Sequence, residues 1–220
     1  GYRTITDIDV NGNVVTIELD PEDETAVTSF YSSLTTPYDI SYLVTQKGEI
    51  ETAEGTVEPA KYKDTSITNR IVDDFQSATG GNVNGRSLNY RYYDPIKVNG
   101  VSEDGKYPLI LFLHGGGEKG DNNLSHLIAN KGAVAWVEPD RIARNPVYVL
   151  APQCPTEPSG WINKENQDLV VQILEEFIQE HPQVDTDRIY IEGMSMGGMG
   201  TWEMILEHPD LFAAAIPICG

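Results

Sequence analysis

The chain has 220 residues, 40% of them hydrophobic, with 34 Asp and Glu against 15 Lys and Arg and a formal charge of −19. That length and apolar content suffice for a sizeable core and exclude disordered and fibrous classes. So negative a field repels phosphate backbones and anionic headgroups, which excludes nucleic acid and the membrane surface as partners.

No run approaches the roughly 18 apolar residues of a membrane span, and Gly1-Tyr2-Arg3-Thr4 lacks the apolar core of a signal peptide. The acidic, Tyr-rich, Lys-poor composition predicts a soluble, secreted protein. Cys154 and Cys219 lie too far apart in sequence for a disulfide framework or a zinc knuckle.

Residues 1–70 read as short β-rich runs separated by turn residues. Ile5 to Val10 and Val14 to Leu19 alternate around Asn11-Gly12, a hairpin signal. Ser29-Phe30-Tyr31 and Ile40 to Thr45 follow as further runs, and Lys47-Gly48 turns into Glu49 to Thr52. A small β-sandwich accessory domain is expected, as a spacer or a sugar-binding module.

From Ile71 strands alternate with helices, which predicts an α/β domain over 71–220 with a mostly parallel sheet. Phe75 to Thr79 and Leu88 to Tyr93 read as an antiparallel lead-in. Tyr107 to Leu113 contains Leu109-Ile110-Leu111-Phe112-Leu113, apolar without alternation, as a strand buried on both faces is. Val147 to Ala151 reads the same way.

Residues 165–180 place Leu169, Val170, Ile173, Leu174, Phe177 and Ile178 on one helical face that Pro182 stops. Arg188 to Glu192 is a third buried strand, followed by a helical segment from Met199 to Glu207 and a fourth parallel strand over Ala213 to Ile218.

Gly193-Met194-Ser195-Met196-Gly197 fits G-x-S-x-G and sits between a strand and a helix, the context in which that motif places a nucleophilic serine on a sharp turn. The helix N-terminus beside Ser195 favours the oxyanion that forms when a carbonyl is attacked. His114-Gly115-Gly116-Gly117 follows the first buried strand, where such a hydrolase carries its other oxyanion donor. The expected oxyanion hole is the backbone N–H of Met196 with that of Gly116 or Gly117. No metal-ligand cluster is visible, and the chemistry needs no cofactor.

Three stretches carry a resemblance: Tyr107 to Asn122, Ala151-Pro-Gln-Cys-Pro155, and Asp187 to Trp202. Over about residues 75–220 the chain resembles bacterial α/β-hydrolase esterases related to the polyhydroxybutyrate-depolymerase and feruloyl-esterase groups, some of which carry an N-terminal immunoglobulin-like domain. The resemblance implies an α/β-hydrolase three-layer sandwich with an eight-stranded sheet, a Ser-Asp-His triad, and short-chain or plant-cell-wall ester substrates. In that strand order the strands of Cys154 and Cys219 are separated by two others, too far for a disulfide, which implies two free thiols.

Triad residues in this fold run Ser, acid, His along the chain. Only 25 residues follow Ser195, so the acid and base are expected beyond Gly220, the 220 residues alone are expected to be inactive, and a companion C-terminal fragment is a candidate partner. Of the four histidines, His114 suits an orienting role in the oxyanion loop, His126 a surface position, and His181 and His208 helix ends. His114 and Trp161 are candidate pocket residues, Trp161 equally a core cap. Met199 and Trp202 are expected to pack the nucleophile helix on the sheet. Glu118 and Asp121 read as loop-fixing groups. The rival readings are a prolyl-oligopeptidase-like peptidase and a non-catalytic binding protein on the same fold.

Overall fold

The computed structural model describes residues 2–12, 14–20, 22–23, 42–66, 68 and 71–220. The chain divides into two compact units, Gly1–Phe30 and Tyr31–Gly220. In the first, β1 (Ile5–Asn11) and β2 (Val14–Leu19) form an antiparallel hairpin. Asn11 pairs with Val14, so Asn11 belongs to the ladder and not to the turn. The Asp23 carboxylate accepts from Thr4 N and Thr4 Oγ1 at 2.6 and 2.8 Å and pairs with Arg3 at 3.1 Å.

The second unit begins with short, exposed ladders. β3 (Leu43–Thr45) pairs with β6 (Lys61–Lys63), and β4 (Ile50–Thr52) with β5 (Gly55–Val57). The expected runs at 29–31 and 40–41 lie outside the described residues. Up to residue 70 the described residues form three two-stranded sheets.

The functional part is a six-stranded mixed sheet in the order β12-β11-β9-β10-β8-β7. β7 (Gln76–Val83) and β8 (Arg86–Tyr93) make a hairpin whose turn residues Asn84 and Gly85 both have positive φ, +52° and +78°, as the twist of a two-residue turn requires. β9 (Tyr107–Leu113), β10 (Tyr148–Pro152), β11 (Val184–Met194) and β12 (Ala214–Ile218) run parallel. β11 starts at Val184 rather than Arg188, with an irregularity before Ile189.

Every residue from Leu109 to Leu113 is at most 3% exposed, because the sheet is covered on both faces. Leu109, Leu111 and Leu113 pack with Leu150 and Ile191 against α4 (Lys164–Glu180) and α5 (Met196–Glu207). Ile110 and Phe112 pack on the opposite face among Val137, Ile142 and Leu127. That side carries α2 (Ser125–Ile128) and α3 (Pro139–Ile142), while α1 (Pro95–Asn99) links β8 to β9. α4 is capped by Asn163, whose side chain accepts from the N–H groups of Glu165 and Asn166 at 3.1 and 3.2 Å, a cap that contributes about 1 kcal/mol.

α5 starts at Met196, immediately after the serine, three residues earlier than expected. Met199 and Trp202 do not pack it on the sheet. They are 47% and 50% exposed, because the face that meets β9 and β11 is the glycine and Thr201 face, where no large side chain fits.

Candidate active site

Ser195 sits at φ +53°, ψ −117°, a conformation that costs an L-residue about 1–3 kcal/mol and persists only where the surroundings enforce it. Enforcement comes from both sides. Ser195 N–H donates to Ile218 O at 2.7 Å, tying the turn to β12, and Ser195 O accepts from Met199 N at 3.0 Å, starting α5. Flanking glycines allow the close approach. A methyl on Gly193 would lie 2.1 Å from Gly197 O, and one on Gly197 would lie 1.8 Å from Leu113 O. The serine side chain is exposed, and its Oγ has no hydrogen-bond partner among the described residues.

The N–H groups of Met196, Gly197 and Gly198 open α5 and have no intrahelical acceptor, so the positive helix end lies beside Ser195. Opposite stands the Gly115–Gly117 loop. A methyl on Gly115 would be 3.8 Å from Ser195 Cβ, and one on Gly116 would be 4.0 Å from Met196 Cβ. Both candidate oxyanion strands of chain therefore flank the serine, with Gly116 and Gly117 half-buried in a turn of 3-10 helix over Gly116–Glu118.

His114 and Trp161, read as candidate pocket residues, are 0% and 1% exposed. Both are absorbed in holding the loop. Cys154 N–H donates to His114 Nε2 at 2.9 Å, which leaves Nδ1 to carry the proton toward Gly115 O at 2.6 Å. With its lone pair so used, His114 cannot take a proton from Ser195. Trp161 Nε1 donates to His114 O at 2.9 Å, and the two rings meet edge-on at 5.1 Å.

Glu118 is buried below the loop, 3.8 Å from His114 Nδ1 and accepting from Asn130 Nδ2 at 3.2 Å. Burial opposes its ionisation, but the His114 ring and the Asn130 amide outweigh it and hold the carboxyl below the usual range. Asp121 is exposed, and it is the Asp121 backbone carbonyl that accepts from Asn89 Nδ2.

The other histidines also lie away from Ser195. His126 is not a surface residue: α2 turns it inward, 0% exposed and 5.8 Å from the His114 ring. His181 stacks on Phe177 at 3.9 Å beyond the last turn of α4. His208 caps the far end of α5, about 18 Å along a 12-residue helix.

Neither ring nitrogen of His126 makes a hydrogen bond of ordinary geometry. Burial first, then the proximity of His114 and of Arg91, keep its affinity for a proton well below that of a free histidine, against the pull of the Ala151 backbone. Because the unfolded chain binds that proton more readily, stability should fall as pH drops below the ordinary histidine value of about 6.5. The urea midpoint should therefore decline from pH 7 to pH 5, and less steeply in His126→Phe, which leaves no unpaired group behind. Equal slopes for both proteins would refute this.

Three groups were missed in the sequence. Gln153 and Asn122 hold the segment after Gly115–Gly117, and Glu192 is a buried carboxyl accepting from Trp136 Nε1 at 2.5 Å. Burial raises the Glu192 pKa, against the Trp136 hydrogen bond. A polar residue inside an apolar strand, as Glu192 is in Ile191-Glu192-Gly193, was the one available signal. Cys154 is buried, with its thiol pushed up to about 11 by burial, and both cysteines are free. A cleft of about 560 Å³ lined by Pro108, Ile110, Trp136, Arg141, Tyr190 and Ile216 contains none of the groups around Ser195.

The fold and elbow define a class, the α/β-hydrolase type of chain. Comparison with known proteins agrees at that level: the sequence profile of the prolyl oligopeptidase family matches residues 161–220. More particularly, a crystal structure described as a thermostable esterase is 37% identical, with a TM-score of 0.83, over 99% of this chain and 64% of that one. This chain thus spans less than two thirds of that esterase. A ferulic acid esterase is 19% identical over 64% of this chain and 58% of its own, with a TM-score of 0.47. The acylaminoacyl peptidase of Pyrococcus horikoshii is 25% identical over 65% of this chain and 22% of its own, with a TM-score of 0.42. No curated protein matches the chain.

Proposed function

We propose that this chain carries the nucleophile and oxyanion hole of a serine hydrolase that cleaves carboxylic esters through an acyl-enzyme. The observation that carries the reading is the strained, exposed Ser195 between the α5 N-terminus and the Gly115–Gly117 loop. Ser195 Oγ attacks the ester carbonyl as its proton passes to a base. The carbonyl oxygen becomes an oxyanion facing Met196 N–H and Gly116 N–H, with Gly117 as the alternative donor. Collapse expels the alcohol, which takes the proton, and water then releases the acid by the same route.

The base and its orienting carboxylate are proposed to come from outside these 220 residues, since all four histidines are engaged or remote. The 37% identical esterase, half again as long as the part matched, supports this. Short-chain or plant-cell-wall esters are the proposed substrates, secretion the proposed location, and an immunoglobulin-like accessory role the proposed part of the first ~70 residues. A second reading, a peptidase, is favoured by the prolyl oligopeptidase profile over 161–220.

The test is intact-mass spectrometry of the full-length protein after exposure to a fluorophosphonate. One phosphonyl adduct, lost in Ser195→Ala, is expected, and a folded parent that stays unlabelled would sink the reading. Hydrolysis of p-nitrophenyl acetate but not of peptide p-nitroanilides separates esterase from peptidase.

A further inference from the structure

We propose that Gln153 is a positioning residue that sets the place of the oxyanion loop relative to Ser195, an inference that rests on the serine-hydrolase reading. Gln153 follows β10 and is 1% exposed. Its Oε1 accepts Asn123 N–H at 2.7 Å, which fixes the orientation of the amide. Its Nε2 then points at Glu118 O at 2.9 Å and Asn122 Oδ1 at 3.0 Å, with Ser125 Oγ at 3.3 Å. Asn122 Oδ1 in turn accepts the N–H groups of Leu124 and Ser125 at 3.0 and 3.1 Å. One side chain thus joins four successive parts of the segment from 118 to 125.

Glu118 closes the 3-10 turn that contains Gly116 and Gly117. Gln153 holds that turn from its C-terminal side, while the next residue, Cys154, holds it from the N-terminal side through His114 Nε2. Gln153 N–H donates to Asn89 O at 2.8 Å, so the support is itself anchored to β8. The oxyanion N–H of Gly116 therefore takes its position from the sheet, not from solvent. A donor displaced by a fraction of an ångström meets the ground-state carbonyl as before but the oxyanion poorly, which lowers kcat rather than raising KM.

Gln153→Glu keeps the shape and the acceptor for Asn123 N–H but loses the hydrogen bonds donated to Glu118 O, Asn122 Oδ1 and Ser125 Oγ. In the full-length protein, folded at the assay temperature, kcat on p-nitrophenyl acetate should fall about 100-fold with KM within about two-fold. Ile173→Val, on the buried face of α4, is the control for a lowered Tm alone and should leave kcat unchanged. A folded Gln153→Glu protein with near-parental kcat overturns the proposal.

If that variant does not fold, amide hydrogen exchange of the unmodified protein decides: Asn123 N–H should be protected as strongly as β10, and exchange at an open-loop rate overturns the proposal. A parent that neither hydrolyses ester nor takes up fluorophosphonate fails the serine-hydrolase reading instead, and the exchange rate still reports whether Gln153 holds the loop.

Discussion

Gly197→Ala should lose about 3–5 kcal/mol of stability, enough to leave most of the protein unfolded at ordinary temperature. The added methyl would sit 1.8 Å from Leu113 O and 2.8 Å from His114 O, both backbone atoms at the end of the central strand β9. No rotamer change relieves a backbone contact, so α5 or the loop after β9 must move by more than an ångström. Either motion breaks the Gly193–Gly197 contact and the Ser195 turn. Gly48→Ala is the internal control, since its methyl meets nothing within 4 Å, and its effect should stay within about 0.5 kcal/mol. Urea unfolding followed by circular dichroism measures both, and a Gly197→Ala midpoint equal to that of Gly48→Ala would show that the elbow is looser than described.

Trp161→Ala should destabilise by about 3–5 kcal/mol, the range for deleting a fully buried aromatic ring. Trp161 packs between the end of β9 and α5, where a methyl on Gly200 would lie 2.3 Å from its Cβ. Deletion also orphans the His114 carbonyl, which Trp161 Nε1 now satisfies. Trp161→Phe keeps most of the volume and loses only that hydrogen bond, so it should cost about 1–2 kcal/mol. The expectation is opposite for a residue that walls a substrate pocket, where KM would change with the urea midpoint unmoved. Unfolding and kinetics on the same two variants separate the roles.

Much of the hydrolase part could be read without coordinates. The apolar run 109–113, the helical period of 165–180 and G-x-S-x-G after a strand each report a local constraint, because burial on two faces, a 3.6-residue repeat and a sharp turn impose themselves on neighbouring residues. Free cysteines followed from the strand order that the family resemblance implies. The helical pattern was legible only from Met199, while the first turn, Met196 to Gly198, looks like loop until the packing that requires glycine is seen.

The sharp turn at Ser195 and the glycine loop facing it were legible because both are written in contiguous residues. The supporting groups were not. His126 sits four residues from two asparagines in a polar stretch and reads as surface, yet α2 turns it into the core. Trp161, His114, Gln153 and Cys154 meet only because β9 and β10 are adjacent in the sheet, and hydrogen bonds between residues 30 to 50 apart leave no periodic trace. The sequence alone determined which elements form and which serine they present. The tertiary structure decided which polar groups are buried together, because burial by distant segments is what commits a side chain to holding the loop instead of meeting solvent or substrate.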